Sequence, residues 1–341
     1  MKAAVLKAPH QIEILEWESA GLKPNEVRIQ VNGCGICGTD QHIYHGNPGS
    51  AAVTPPIVLG HELAGVVTEC GEHVQQLQIG DRVSIDPNIY CGGCRYCRNG
   101  QPHLCDNLQA VGVTRDGGMG ESCVVPAANC YLLPDSLSFA EGALVEPLGC
   151  VLHGFKKVNI RPIHTVLLIG GGFIGQLFLQ LVKMQGVARI VVSEPAIEKH
   201  EALLALGADE VVQPTALIVE RLRAGFDIVI ECVGRKESME LAIDAASKGG
   251  QVLLFGVANP STQIQVSPFA IFTKELRLMG SFINPHTHEE AIALIDQQLV
   301  KVEPLISHRF SLDEVPQIMG NYAEMNVTKG VIVYPSRANR A

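Results

Sequence analysis

Thr165-Val-Leu-Leu-Ile-Gly-Gly-Gly-Phe-Ile-Gly-Gln-Leu-Phe-Leu-Gln-Leu-Val-Lys-Met-Gln-Gly186 is the stretch that decides the fold. An apolar run of strand character leads into Gly170-Gly171-Gly172-Phe173-Ile174-Gly175, a G-x-G-x-x-G turn, and then into an amphipathic helix that stops near Gly186. The motif has the strand–turn–helix context it needs. Gly170, Gly172 and Gly175 permit a tight turn and bring backbone close to a pyrophosphate at the positive end of the helix dipole. Phe173 and Ile174, inside the motif, belong to the same expected dinucleotide site. Glu194 ends the next predicted strand, where its carboxylate is placed to accept hydrogen bonds from adenosine ribose hydroxyls.

Downstream the alternation continues. Strands are expected at 166–169, 189–193, 210–212, 227–231, 251–255 and 275–282, with helical segments over 173–186, 196–208 and 236–250. This is the pattern of an α/β fold with a doubly wound parallel sheet. Upstream, short strands broken by Gly, Pro and Asn recur at 3–8, 27–35, 64–71, 81–86 and 123–127. From about Val302 the chain returns to β-like pieces ending in Gly330-Val-Ile-Val-Tyr-Pro335. The expected organisation is a β-rich domain over 1–150 and 300–341, with the nucleotide domain inserted over 151–299.

Composition narrows the function. The chain has 341 residues, 47% hydrophobic and 18% charged, which excludes a disordered protein and suits two domains. Its net charge of −9 argues against nucleic acid as a partner. The N-terminus lacks an uninterrupted apolar core of signal-peptide length. The most apolar stretch, 166–182, carries four glycines with Gln176 and Gln180, so it reads as a buried strand and helix, not a membrane span. A cytoplasmic protein with reduced thiols is expected, and eleven cysteines then point to metal.

Two cysteine-bearing constellations stand out. Cys91-x2-Cys94-x2-Cys97-x7-Cys105, in a Gly- and Pro-rich loop, offers four thiolates for a closed tetrahedral site; zinc favours such a site, and an iron–sulfur centre is the rival. The second set is dispersed: Cys37 in GICGTDQH, His61-Glu62 in LGHELAG and Glu146 in LVEPLG. One thiolate, one imidazole and two carboxylates suit a catalytic zinc with an exchangeable position. Adjacent side chains on a strand face opposite ways, so His61 and Glu62 share a metal only if Gly60 opens a turn or helix.

With CGTD at 37–40, GHE at 60–62, the cysteine lobe and GGGFIG in this order, the chain resembles the zinc-dependent medium-chain dehydrogenase/reductase superfamily over its full length. Within it, the polyol (sorbitol-like) and L-threonine dehydrogenase branch is most similar. The resemblance implies a GroES-like β-rich catalytic domain, a Rossmann coenzyme domain, NAD, two zinc ions per chain, and a dimer or homotetramer. It implies Cys37, His61 and Glu62 as catalytic zinc ligands, with Glu146 either a direct ligand or the holder of a zinc-bound water. Asp40 is implied to orient His61, Thr39 and His42 to relay protons, and Lys199 to join Glu194 at the ribose.

The implied reaction is reversible oxidation of a secondary hydroxyl of a polyol, sugar alcohol or its phosphate to a ketone. L-Threonine 3-dehydrogenase is the alternative within the class, and a non-catalytic nucleotide-binding sensor the alternative outside it. Ile283-Asn284 replaces the Arg-Tyr of sorbitol dehydrogenases and the Gly-Arg of threonine dehydrogenases. Asn284 is therefore expected to line the pocket and to favour hydroxyls over a carboxylate. His45, His286, His288 and Cys123 read as loop or packing residues.

Overall fold

Strands form where β-branched residues alternate between a buried and a half-exposed face. The clearest case is Glu26–Ile36, in which Val27, Ile29 and Val31 point into the core. The computed structural model describes residues 1–214 and 225–335. The chain parts into two units, Met1–Gly149 with Ile283–Ala341, and Cys150–Phe282.

The first unit opens with β1 (Lys2–Ala8), β2 (Gln11–Glu16), β3 (Glu26–Ile36), β4 (Ile57–Val58) and β5 (Glu62–Cys70). There follow β6 (Arg82–Ile85), β7 (Asn88–Ile89), β8 (Gln109–Ala110), β9 (Ser122–Pro126) and β10 (Cys130–Leu132). After the second unit the chain returns to add β17 (His308–Phe310) and β18 (Gly330–Val333), giving the sheet order β10-β6-β5-β3-β18-β17 with β9 also on β3. In this sheet Gly35 of β3 lies opposite Glu62 of β5, and Ile36 opposite Gly330 of β18. Two short helices matter for the site: α1 (Gly38–Tyr44), directly after β3, and α4 (Val145–Phe155).

The second unit holds β11 (Thr165–Ile169), β12 (Arg189–Ser193), β13 (Glu210–Val212), β14 (Phe226–Glu231), β15 (Ala246–Leu254) and β16 (Arg277–Gly280). They form one parallel sheet in the order β13-β12-β11-β14-β15-β16. The order reverses beside β11, the point at which such sheets bind ligands. Leu167, Val191, Val229 and Val252 fill its core at 0% exposure. The glycine turn leads into α5 (Phe173–Met184).

Three boundaries differ from the sequence reading. The helix expected over 236–250 ends at Asp244, because Ala246 already pairs with Phe226 and begins β15. The last strand covers only Arg277–Gly280, since Glu275 takes φ +50° as the left-handed cap of the helix Pro268–Lys274. The return to the first unit starts at Ile283 and not at 300. Polar contacts fix that earlier return: the Thr287 hydroxyl donates to the Gly149 carbonyl at 2.9 Å, and His288, 0% exposed, bonds Ser84. No helix among the described residues is long and apolar enough to cross a membrane.

Candidate active site

The glycine turn is built as the sequence demands. Gly170 takes φ +101°, and a Cβ on Gly175 would overlap the Gly170 carbonyl oxygen, so both positions require glycine for the protein's own sake. Gly172, the N-cap of α5, is different: it has ordinary extended backbone, and apart from its own residue and its two chain neighbours no protein atom lies within 4 Å of where its Cβ would be. That space fits a pyrophosphate brought against the backbone. Glu194, 5% exposed, accepts from the Gly171 N–H at 2.8 Å with one carboxylate oxygen and from the Ala196 N–H at 3.0 Å with the other. It thereby ties the end of β12 to the glycine loop, with each carboxylate oxygen accepting one of these two backbone hydrogen bonds. Lys199 closes the short turn Ile197–Lys199 just beyond, half-buried. Phe173 is buried and Ile174 half-buried in the first turn of α5.

In the first unit, Cys37, His61 and Glu62 bring one ligand atom each to within 4.8 Å of one another. Gly60 opens no regular turn or helix, so the condition set by the sequence is met only in a looser form, by one left-handed residue. Its φ of +93° turns the chain so that His61 precedes β5 and does not follow the strand's alternation with Glu62. A Cβ on Gly60 would come within 2.6 Å of the Cys34 sulfur. Cys37 caps α1, and its backbone N–H donates to the Asp40 Oδ2 at 2.9 Å. The other Asp40 oxygen faces the His61 Nδ1 at 3.4 Å without an aligned hydrogen bond, and Asp40 is 0% exposed. Burial would push His61 down; the Asp40 carboxylate overrides it and holds the imidazole well above its usual range. Thr39 and His42 sit one turn apart on α1, both half-buried, so they share a face of the helix. Glu146, buried in the first turn of α4, is not part of the three-residue group.

Glu62 has a partner that the sequence reading missed. Lys329, 3% exposed and immediately before β18, places its Nζ 2.5 Å from the Glu62 Oε2 and donates to the Ile36 carbonyl at 3.1 Å. Gly35 makes this possible, because a Cβ there would occupy the position of the Glu62 carboxylate. The only trace in the sequence is a lone lysine opening an apolar strand.

Cys91, Cys94, Cys97 and Cys105 likewise lie with their sulfurs within 4.8 Å of one another. Backbone N–H groups point at them: Cys94 N–H to the Cys91 sulfur, and Cys91 and Asn107 N–H to the Cys105 sulfur, each at 3.4 Å. The N–H groups of Gly93 and Cys94 draw Cys91 down to about 6. Cys97 is pushed up, by local burial and then by its thiol neighbours. Four adjacent thiols that cannot all ionise alone form a site fitted to a cation.

Asn284 does not serve as expected. It is 0% exposed, its Oδ1 accepts from the Asn88 Nδ2 at 2.6 Å, and its Nδ2 lies 3.2 Å from the His288 Nδ1. Its amide is spent inside the first unit and does not line a pocket. Burial pushes His288 down to about 3, so the ring stays neutral and acts as a packing residue. Cys123 is also buried, while His45 bonds only the Gln41 carbonyl, one turn back in α1.

Residues 23–135 match the alcohol dehydrogenase GroES-like domain family, and residues 174–297 the zinc-binding dehydrogenase family. D-Altritol 5-dehydrogenase of Agrobacterium fabrum is 33% identical over 89% of this chain and 90% of its own. Sorbitol dehydrogenase of Homo sapiens is 32% identical over 91% and 89%. The chain belongs to the zinc-dependent medium-chain dehydrogenases, in the polyol dehydrogenase branch. A zinc-binding dehydrogenase of Sinorhizobium meliloti, solved with NADP bound, has the same fold, with a TM-score of 0.93 and 36% identity over 98% of this chain and 99% of that one. This medium-chain dehydrogenase is accordingly an oxidoreductase with a GroES-like domain and a Rossmann domain.

Proposed function

We propose that this dehydrogenase uses zinc and NAD to oxidise a secondary hydroxyl of a polyol or sugar alcohol, free or phosphorylated, to a ketone. The observation that carries the reading is the Cys37/His61/Glu62 group. It offers three mixed donors, one fewer than a closed tetrahedron, which leaves a position for substrate. The polyol relatives support the substrate class. Zinc bound there would supply Lewis acidity toward the substrate hydroxyl, and NAD would supply the capacity to accept a hydride. Cys37, His61 and Glu62 would hold the zinc, with Asp40 orienting His61 and Glu146 reserved for a water or for direct ligation. Thr39 accepts the hydroxyl proton and passes it toward His42 and solvent. Gly172, Glu194 and Lys199 would hold the pyrophosphate and ribose. The four cysteines would hold a second, closed zinc that acts on structure only.

A panel of polyols, polyol phosphates and L-threonine, read by NADH absorbance, tests the proposal. Turnover of threonine alone would transfer the assignment to threonine dehydrogenase. No turnover by a zinc- and NAD-loaded protein would favour a sensor.

His42→Ala should slow oxidation by about tenfold to a hundredfold, with small buffer bases restoring part of the rate. Buffer-independent rates equal to those of the parent would remove His42 from the relay. NAD should exceed NADP in kcat/KM by at least about a hundredfold, because a 2′-phosphate would meet the buried Glu194 carboxylate. Glu194→Ala should narrow that ratio chiefly by weakening NAD; equal use of both coenzymes by the parent would refute the claim.

A homo-oligomer is part of the proposal. Among the described residues β16 ends its sheet with one side unpaired, and Phe269 and Phe272 on the preceding helix are each 74% exposed. A second copy is the occupant that such an edge fits, strand against strand. Phe272→Asp should lower the mass seen by light scattering, and an unchanged mass would place the interface elsewhere.

A further inference from the structure

Lys329 is a fully buried cation that belongs to none of the roles above. It sits against a carboxylate that also reaches the open metal group. A buried lysine is retained at a cost unless its charge is used or matched. Three adjacent strands deliver the contact. Glu62 starts β5, Ile36 ends β3 and Lys329 precedes β18, while Gly35 leaves the gap through which the carboxylate crosses. Ser307 fixes the lysine backbone: the Ser307 N–H donates to the Lys329 carbonyl at 3.0 Å, and the Lys329 N–H donates to the Ser307 hydroxyl at 3.2 Å.

We propose that Lys329 is a positioning residue that sets the charge of the open zinc centre by sharing Glu62 with the metal. The inference rests on the zinc reading above. Zinc with the Cys37 thiolate and the Glu62 carboxylate sums to zero, and the Lys329 ammonium adds one positive charge beside them; Asp40, Glu146 and the Tyr322 hydroxyl, the other titratable groups around the centre, are unchanged in the variants compared below. A centre with that extra charge is more electrophilic toward a hydroxyl and holds its metal less tightly than the same donors would alone. Lys329 trades metal affinity for reactivity. A merely structural lysine would have the opposite sign, since losing it would disorder Glu62 and loosen the metal.

The test is chelator competition on zinc-loaded protein, with the cysteine-lobe zinc as internal reference, together with the pH profile of alcohol oxidation. Lys329→Met should bind the open-site zinc about tenfold more tightly and shift the rise of the profile to higher pH. Lys329→Arg should stay near the parent in both. Should Lys329→Met fail to fold, Lys329→Gln, which keeps a hydrogen-bond donor toward Glu62 and the Ile36 carbonyl without the charge, takes its place. It too should hold the open-site zinc more tightly than the parent. Equal or weaker binding once the lysine charge is gone, in whichever variant folds, overturns the inference. A parent protein that takes up only the lobe zinc would instead overturn the reading it rests on.

Discussion

Replacing Cys37 by alanine should leave a folded protein that retains one zinc per chain and oxidises alcohol at least about a thousandfold more slowly. Cys37 sits at the N-cap of α1 and is not part of a packed core, so its removal costs the fold little. What it removes is the one sulfur donor of a three-donor group, and His61 and Glu62, even with Glu146 moved in, give a weaker set that should lose zinc to water and buffer. Cys94→Ser should divide the effects the other way. The lobe would lose its zinc and the protein its stability or assembly, while the open site keeps its metal. Metal analysis on both variants beside the parent, which should carry two zincs, decides between them. A parent that is fully active with a single zinc would defeat the two-site assignment.

The second large effect separates two glycines of one motif. Gly175→Ala drives a methyl group into the Gly170 carbonyl, backbone against backbone, and should destabilise the protein by about 3 kcal/mol or more. NADH binding should be lost with the turn. Gly172→Ala meets open space in an extended conformation that alanine adopts freely. Its stability should be unchanged, or higher by about 0.4–1 kcal/mol through the unfolded chain. Yet its methyl group would stand where the pyrophosphate approaches, so NADH affinity should fall by about tenfold to a hundredfold. Thermal melts with and without NADH give both readings in one experiment. Unimpaired NADH binding by Gly172→Ala would mean that the dinucleotide does not lie over this turn.

What the sequence made legible was local. The glycine turn and the cysteine lobe each lie within a short segment whose spacing permits convergence, and in the structure each closes up within its own unit. The grouping of Cys37 with His61 and Glu62 was readable as a condition on Gly60, and the left-handed φ of that residue meets it in a looser form. The partner of Glu62 was not readable, because the Lys329 contact depends on β18 docking beside β3 across nearly the whole chain. Asn284 was misjudged for a related reason. His288 lies only four residues on, but Asn88, on β7, is remote in sequence, and only the tertiary fold shows that it already occupies the Asn284 amide oxygen.

The placement of β18 also has a consequence for how the protein is made. As the chain leaves the ribosome, β3 can pair early with β5 and, over Glu26–Gln30, with β9, but its Gly33–Ile36 end keeps an open flank until Gly330–Val333 emerge. During that interval Glu62 faces a dry interior with no counter-charge from Lys329. At roughly 5–20 residues per second the inserted unit alone holds the nascent chain in this state for on the order of ten seconds. Zinc capture by the early-made donors would supply the missing positive charge in that window. A chain cut short before Lys329 should accordingly leave the first unit with an unfinished sheet, prone to pair with the wrong strand and depend on early metal for its survival.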